Sequence, residues 1–512
     1  MSGPEEVPVG GPDTGRRGDY LTILSGTGQN VLGIFVAALA TFAAQILISN
    51  TLGSEAFGVV TVVTMGAFVL SFLTRAGTDM AVLRDVAIEV GVGRTERIRA
   101  PVARAGAIAF GISLLFAIAM FVGADAVRAL FRIQGVAGRG IVEAAAVGLP
   151  FIALANVWLS ATRGLKIMRY TLYVFWAGQP VAWIVLMVLG WQLARTSWMA
   201  VLAYSVSWVV AAAASYYFWR KESRRWDVAP YEPGDLARLF RYAGPRAPAA
   251  LFSQLLFWTD LFVLTRYAAG PEIGFYSAAL RAGQILVLFL TSVSLMFSPY
   301  VADMHARGLR VELDRLFKRL TRWTLAATLP VFLLLAIAPD PVLRLFGSAF
   351  EQGETALLIL IAGQFINVAT GSVGFVLIMV GRTGWDLTVY AASLVVNLGL
   401  AFWLCPRYGM EGAAVANATT FALSKWARLA LVRRFVGIQP YEADYARLLV
   451  PASIAAIVMW AATSLVQGRW FADLVVTATA GAVAYVISYL VAGLTPDERR
   501  AVSALGNRVR TR

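Results

Sequence analysis

The chain has 512 residues, of which 59% are hydrophobic and 14% charged, and its mean hydropathy is +0.68. A soluble protein of this length needs more polar surface than these charged residues provide, so the composition argues against that class and predicts an integral membrane protein. The net charge of +14 does not indicate nucleic-acid binding, because Lys and Arg lie in short connectors and no basic module stands apart from the apolar segments.

Apolar runs along the chain predict about fourteen membrane-spanning helices, since each run holds roughly the 20 residues that a helix needs to cross a bilayer. Clusters of Gly, Pro or charged residues separate the runs. We therefore expect an all-α polytopic membrane protein. The approximate bounds of the spans are 27–49, 56–76, 101–123, 140–160, 170–193, 198–219, 243–268, 275–301, 320–338, 354–380, 385–404, 411–434, 447–467 and 470–493.

The connectors differ in charge between the two sides of the membrane. With these bounds, one side carries roughly four times as many Lys and Arg residues as the other, and basic connectors stay in the cytoplasm. The pattern predicts an even number of spans in the cell membrane, with both termini cytoplasmic. The segment 1–20 is polar and rich in Gly and Pro, so we expect a disordered cytoplasmic tail rather than a signal peptide.

Two turns share a sequence pattern that predicts an internal repeat. The first reads LGSEAFGVV (52–60) and the second AAGPEIGFY (268–276), so Gly58 aligns with Gly274. The offset covers six spans and predicts two parallel six-span lobes, with a substrate site between them. The predicted domains are the tail 1–20, an N-terminal lobe 21–222, a C-terminal lobe 223–440, two appended spans in 441–495 and a basic cytoplasmic tail 496–512.

The hairpin 251–300 carries two charged residues inside its spans. Asp260 and Arg281 are expected at similar depths on adjacent antiparallel helices. One interpretation is an ion pair that fixes the hairpin. The other is that Arg281 lines a cavity for an anion and Asp260 positions it, because charges within spans usually face a bundle interior. The sequence leaves both open.

Other polar residues lie near the predicted cytoplasmic ends or within the spans. Arg75, with Asp79 four residues later, and Arg246 could extend to the inner headgroups. Alternatively, they could form a basic vestibule that grips phosphate with two hydrogen bonds per guanidinium. Gln254 and Gln284 could join helices by hydrogen bonds or contact a hydroxyl-rich cargo.

The sequence lacks motifs for enzymatic chemistry. The chain has one cysteine, Cys405, and one histidine, His305, and it contains no nucleotide-binding loop, dinucleotide fingerprint or HExxH sequence. No connector is long enough for an appended catalytic domain. We therefore predict a protein that is not an enzyme and that uses no metal and no cofactor.

Five short motifs, in this order and spacing, resemble the polysaccharide flippases of the MOP (multidrug/oligosaccharidyl-lipid/polysaccharide) exporter superfamily. The similarity runs from Thr22 to Val491. The motifs are Leu52–Gly58 (LGSEAFG), Arg75–Arg84 (RAGTDMAVLR), Asp260–Tyr276 (DLFVLTRYAAGPEIGFY), Phe297–Tyr300 (FSPY) and Tyr408–Ala414 (YGMEGAA).

The resemblance implies two six-helix lobes, related by a pseudo-twofold axis, that alternate between inward- and outward-facing V shapes, with two extra C-terminal helices. Members of the family carry undecaprenyl-diphosphate-linked oligosaccharide from the cytoplasmic to the outer leaflet, for glycosyltransferases and a polymerase that build surface polysaccharide. The implied headgroup contacts are Arg75, Arg246 and Arg281. Asp260 belongs to the pattern of the seventh span. With Gln254 and Gln284, these residues are the candidate lining of the cavity.

Three alternatives remain open at this level. A lipid II flippase is a near relative. A drug/cation antiporter of the same superfamily would need acidic residues within its lobes, where intramembrane arginines are at least as prominent here. A membrane-embedded glycosyltransferase or ligase would need a larger extracytoplasmic loop and acidic metal-binding residues, and neither is evident.

Overall fold

The structure, a computed structural model, describes residues 12–133, 138–226, 233–268, 270–465, 469–495 and 498. Side chains are described from 38 onward, except for 233–246, 295, 296, 298 and 299. The helices are α1 (Pro12–Thr74), α2 (Thr78–Gly91), α3 (Arg99–Val122), α4 (Ala124–Leu130), α5 (Gly138–Gly164), α6 (Arg169–Thr171), α7 (Gln179–Gly190), α8 (Ser197–Ser223), α9 (Pro233–Leu264), α10 (Gly270–Gln284), α11 (Val287–Ala306), α12 (Arg310–Ile337), α13 (Pro339–Leu343), α14 (Glu354–Ala369), α15 (Val373–Met379), α16 (Thr383–Phe435), α17 (Leu449–Leu465) and α18 (Trp470–Ser488).

The all-helical membrane fold expected from the composition is confirmed, and the described residues include no strand. Eleven helices within the described ranges are long and apolar enough to cross a membrane, or twelve if the pair α10 and α11, bent by 46°, forms one span. The count of fourteen and the division into lobes stay predictions. The predicted tail 1–20 is helical from Pro12, and its first eleven residues lie outside the described residues.

Two glycines interrupt the longest helices, so α1 and α16 each cover two of the predicted spans. Gly53 (φ 81°, ψ 179°) breaks α1, and Gly409 (φ 52°, ψ −128°) breaks α16. Positive φ angles of this kind suit glycine because it has no Cβ. The Met410 amide that follows the second break donates to the Glu272 carboxylate at 2.7 Å, which satisfies a group that the broken helix leaves without a partner.

Gly53, Gly270 and Gly409 all lie where one apolar segment turns into the next, and we call this end of the bundle the turn end. The prediction of cytoplasmic termini places the turn end outside the cell. Within it, the N-terminal half of the chain (12–226) packs against the C-terminal half (233–495). A Cβ built on Gly58 would lie 2.8 Å from the Gly274 amide nitrogen. The two glycines that align in the internal repeat therefore contact each other directly.

Further contacts between the two halves surround these glycines. The Asn50 side-chain amide donates to the Leu345 carbonyl at 2.7 Å. The Phe57 ring packs against Phe346 and Phe350, with centroid separations of 5.8 and 5.7 Å. The turn end is therefore closed by close backbone packing and buried aromatic rings, both of which need the halves in this arrangement.

Small residues bring helices together within the N-terminal half. A Cβ built on Gly148 of α5 would lie 2.8 Å from the Ser205 hydroxyl of α8, and that hydroxyl donates to the Ala144 carbonyl at 2.6 Å. Small side chains and interhelical hydrogen bonds are how membrane helices associate, because lipid offers no hydrophobic gain for larger contacts. The helices α5 and α8 are thus held closely together.

Glu498, in the segment that follows α18, contacts α12 through its carboxylate. Glu498 accepts from Arg322 at 2.5 Å and from the indole N–H of Trp323. Its second oxygen accepts from the Thr495 amide at 2.8 Å, while the Glu498 amide donates to the Thr495 hydroxyl, which is the reciprocal pattern of a helix capping box. The remainder of the predicted tail 496–512 lies outside the described residues.

Acidification is expected to release this contact. Burial raises the pKa of the Glu498 carboxyl, but the hydrogen bonds from Thr495, Arg322 and Trp323 outweigh it, so the pKa lies below its ordinary value. A lowered folded pKa adds stability above the unfolded pKa, about 4.3, and that stability is lost as the pH falls through the folded pKa. The melting temperature of Glu498→Gln should therefore lie below that of the wild type at pH 7, and the gap should close below pH of about 4. A constant gap would contradict this.

Candidate substrate-binding site

Arg281 lies in the last turn of α10, beside the bend to α11. Its guanidinium carbon is 4.7 Å from the centre of the Trp258 ring on α9, within the range of a cation–π interaction. Tyr204 of α8, in the other half of the chain, interacts with it electrostatically. Its Nε and Nη2 atoms are buried and bond to no described residue. Arg281 thus holds two unused donors where the two halves meet.

Helix register groups both predicted glutamines with this arginine. Gln254 precedes Trp258 by four residues on α9, and Gln284 follows Arg281 by three on α10, so each lies on the same helix face as its neighbour. Both glutamine side chains are half-buried. The arrangement combines a cation, an indole face and two amides, which suits a ligand with an anionic group and hydroxyls.

The structure corrects the ion-pair interpretation of Asp260. This carboxylate is fully buried and accepts hydrogen bonds from the Tyr276 hydroxyl and from the Asn417 side-chain amide, the latter at 3.1 Å. No ion pair joins it to Arg281. Asp260 therefore connects α9, α10 and α16 within the C-terminal half. Its neighbours are polar groups rather than cations, which the sequence could not show because Asn417 is 157 residues away.

Arg75 is buried rather than extended toward headgroups. It is 2% exposed, pairs with Asp79 at 3.0 Å, donates from Nε to the Ser71 carbonyl at 3.0 Å and lies 3.9 Å from the centre of the Phe72 ring. Its Nη2 atom is buried without a partner among the described residues. Arg75 and Asp79, which the sequence places four residues apart, thus form an ion pair across the break between α1 and α2.

A second arginine, which the sequence analysis counted only as a topology signal, accompanies this pair. Arg163, in the last turn of α5, interacts electrostatically with both Arg75 and Asp79. Its Nη2 donates to the Ser160 hydroxyl at 2.6 Å, and its buried Nε has no described partner. Two arginines and one aspartate leave a net positive charge at this end of the N-terminal half.

The predicted candidates therefore lie at two depths. Along α10, Arg281 is seven residues from Gly274, or about 10 Å at the rise of an α-helix. Along α1, Arg75 is seventeen residues from Gly58, or about 25 Å. Since Gly58 and Gly274 contact each other, the two arginines differ in depth by roughly 15 Å. Arg246 belongs to α9, but its side chain lies outside the described residues.

A further buried cluster, which the sequence analysis missed, joins the two arms of α16. Arg428 pairs with Asp386 at 2.9 Å, donates to the Ser424 hydroxyl and lies 4.0 Å from the centre of the Tyr390 ring. Lys425 interacts electrostatically with both members of the pair. The available signal was an aspartate at the start of one predicted span and cations at the end of the next, which an antiparallel hairpin brings together.

Comparison with known proteins identifies the family. A family model described as polysaccharide biosynthesis protein matches residues 23–305, more than half of the chain. The chain belongs to the polysaccharide biosynthesis protein family. A second model, MatE, matches 245–403. Membership of the polysaccharide biosynthesis protein family confirms the resemblance to the MOP exporter superfamily, and it makes the protein a multi-pass protein of the cell membrane.

Two curated relatives of this chain have names that describe transport. It is 23% identical to the probable low-salt glycan biosynthesis flippase Agl15 of Haloferax volcanii, over 44% of this chain and 48% of the relative. It is 21% identical to a putative O-antigen transporter of Shigella flexneri, over 77% of this chain and 94% of the relative. The chain thus spans about half the length of the first relative. Both names describe transport proteins, in agreement with the prediction that the chain is not an enzyme.

Solved structures show the fold. The lipid II flippase MurJ in an inward closed conformation superimposes with a TM-score of 0.70 at 14% identity, covering 90% of this chain and 98% of that chain. An inward-facing multidrug resistance MATE family transporter of the MOP superfamily gives a TM-score of 0.63 at 15% identity, covering 80% and 94%. At this identity, the likeness shows the helical architecture of the chain and does not show its cargo.

Proposed function

We propose that this protein is a flippase that carries undecaprenyl-diphosphate-linked oligosaccharide from the cytoplasmic to the outer leaflet of the cell membrane for surface polysaccharide biosynthesis. Family membership and the names of both curated relatives support transport in glycan assembly. In this proposal, glycosyltransferases on the cytoplasmic side build the cargo, and a polymerase on the outer side uses it.

The observation that carries this proposal is the pair of buried, unpartnered donors on Arg281. An arginine at the centre of a membrane costs about 2.5–3.5 kcal/mol even on scales that allow relaxation. A counter-ion offsets this cost, and the Asp260 carboxylate on the same hairpin is already occupied by Tyr276 and Asn417. A diphosphate supplies oxygens in the geometry that a guanidinium fork binds with two hydrogen bonds. The free donors thus favour an anionic, phosphate-bearing cargo over a cationic drug.

The cargo would meet two groups of cations in turn. Arg75 and Arg163 form the group nearer the predicted cytoplasmic side, and each retains one buried nitrogen without a described partner. Arg281 lies roughly 15 Å further along the path. A diphosphate that moves from the first group to the second remains close to positive charge while it crosses the low-dielectric interior. Gln254, Gln284 and the Trp258 ring would contact the sugars.

We further propose that the two halves are six-helix lobes that alternate about this path, with two C-terminal helices appended. The contacts of Gly58 with Gly274 and of Phe57 with Phe346 support a state closed at the turn end. Opening the turn end would separate these contacts and release the cargo to the outer leaflet. Asp260 would keep α9, α10 and α16 together, so that the C-terminal lobe moves as one unit.

Reconstituted transport tests the proposal. Purified protein is placed in liposomes with a fluorescent polyprenyl-diphosphate-linked oligosaccharide in both leaflets, and a membrane-impermeant quencher reports movement between leaflets. We expect protein-dependent movement of this lipid and none of a cationic dye. Transport of the dye alone would contradict the proposal and support the drug/cation antiporter. Lipid II, offered in a parallel assay, distinguishes the remaining flippase alternative by its relative rate.

A further inference from the structure

A cavity at the turn end is lined by charged residues from both halves of the chain. Its volume is about 450 Å³. The N-terminal half contributes α4 and the residues that follow it, and the C-terminal half contributes one residue beyond the end of α9. The lining residues are Asp125, Arg128, Ala129, Arg132, Ile133 and Arg266.

The cavity has more positive than negative charge. Its carboxylate, Asp125, is already shared by Arg128 at 3.4 Å and by Arg139 at 3.1 Å. Within the described ranges, neither Arg132 nor Arg266 forms an ion pair, and both are exposed. The Arg128 Nε atom is buried and has no hydrogen-bond partner there. Arg132 and Arg266 therefore retain donors for an anion that the described residues do not supply.

The backbone at Arg132 adopts a left-handed conformation, in which glycine is less strained than arginine. Its φ is 49°, in the left-handed region, and the Ile133 amide donates to the Arg128 carbonyl at 3.0 Å. This is the hydrogen-bond pattern that ends a helix, and glycine is the usual residue in the left-handed position. A non-glycine residue in this region is strained, because its Cβ crowds the backbone. An arginine at this position is thus unfavourable for folding and places a cation at the cavity.

A second cavity, of about 210 Å³, shares Arg132 and Ile133 with the first and extends between the halves to Glu55, Gly270 and other residues of α1 and α10. Gly270 lies one turn from Gly274, which contacts the N-terminal half. An anion held by Arg132 and Arg266 would therefore connect the two halves close to the contact that closes the turn end.

The cavity also lies at the level of lipid headgroups. The 24 residues of α3 extend about 36 Å, which exceeds the thickness of roughly 30 Å of a hydrocarbon core. The short helix α4, which follows directly, therefore begins at the membrane surface on the turn-end side. Arg266 lies two residues beyond the end of α9 at the same surface. The phosphate of a lipid headgroup occupies this level.

We propose that Arg128, Arg132 and Arg266 form a second anion site, shared by both halves at the turn end, that binds the phosphate of a lipid headgroup. The free donors, the net positive charge and the membrane-surface position all suit this chemistry. Because the bound phosphate contacts both halves, it stabilises the closed turn end. The site does not depend on the proposed transport function, since Arg281 and Arg75 take no part in it.

Ligand-induced thermal stabilisation tests the site. Full-length protein in a neutral detergent is titrated with farnesyl diphosphate, and the melting temperature gives an apparent affinity. Arg132→Gly and Arg266→Gln should each weaken that affinity by about tenfold or more, as expected when a charge-assisted hydrogen bond is lost. Arg195→Gln, which removes an exposed arginine outside the cavity, should leave it unchanged. Arg132→Gly should fold at least as stably as the wild type, because it removes the left-handed strain.

The same titration in an Arg281→Ala background separates this site from the proposed cargo site. A stabilisation that survives Arg281→Ala and is weakened by Arg132→Gly supports the turn-end site. A stabilisation that Arg281→Ala abolishes and Arg132→Gly leaves intact overturns it, while the proposed function stands. Phosphatidylglycerol and inorganic diphosphate, titrated in parallel, show whether the phosphate comes from a phospholipid, a polyprenyl lipid or solution. The site is also overturned if neither Arg132→Gly nor Arg266→Gln weakens the stabilisation by any of these ligands.

Discussion

Replacement of Arg281 by alanine is expected to abolish surface polysaccharide in a complementation assay, with the protein level unchanged. The substitution removes the guanidinium whose Nε and Nη2 atoms have no partner in the described structure, so folding loses the cation–π contact with Trp258 and the electrostatic interaction with Tyr204. The cation–π contact is worth about 0.5–2 kcal/mol. The proposed cargo loses its counter-charge at the centre of the membrane. The effect should therefore appear in transport rather than in abundance.

Two controls make this result specific. Arg281→Lys retains the charge but offers no planar fork for two parallel hydrogen bonds, so it should restore only part of the surface polysaccharide. Arg195→Ala removes an exposed arginine elsewhere at the turn end and should behave as the wild type. Normal polysaccharide in the Arg281→Ala strain, at wild-type protein level, would contradict a role of this residue in cargo binding.

Gly274→Ala is expected to destabilise the closed turn end. A Cβ at this position would overlap the backbone carbonyl of Ser54, which cannot rotate away as a side chain can. Overpacking of this kind costs about 1–3 kcal/mol. The melting temperature should fall, and transport should slow because the cycle passes through the closed state less often. Val59 lines the cavity between the halves. A cysteine placed at Val59 should react faster with a membrane-impermeant maleimide when Gly274→Ala is present than when Gly274 is retained.

The matched control lies on the same helix. A Cβ on Gly283 would have its nearest heavy atom at 3.7 Å, an ordinary contact distance, so Gly283→Ala should change neither the melting temperature nor the labelling rate. Cys405 is buried and does not interfere with labelling. If Val59→Cys is labelled at the same rate with and without Gly274→Ala, the contact at Gly274 does not govern opening.

Much of the fold was predictable because local physics determines it. Apolar runs of bilayer length identify membrane helices without knowledge of their partners, since the backbone must satisfy its own hydrogen bonds in lipid. The alignment of Gly58 with Gly274 was also visible in the sequence. That these two glycines touch was not, because a repeat pattern says which positions correspond and does not say which of them meet.

The polar site was predicted less completely. Arg281 and Arg75 were identified from their positions inside apolar runs, which is a property of the sequence alone. Arg163 was counted only as a topology signal, because a cation at a helix end looks the same whether it faces solvent or another arginine. The ion pair of Asp260 with Arg281 was one of two interpretations that the sequence left open, and it is not observed. Neutral donors on α10 and α16 are the partners of this carboxylate.

The sequence by itself therefore determined that this protein is an all-helical membrane protein, which segments are apolar and which few charges lie among them. Those properties depend on composition and local periodicity. Only the tertiary structure decided that Asp260 is satisfied within the C-terminal half, while Arg281 keeps free donors beside Trp258. Whether a buried charge is neutralised depends on the residues that packing brings to it from distant parts of the chain.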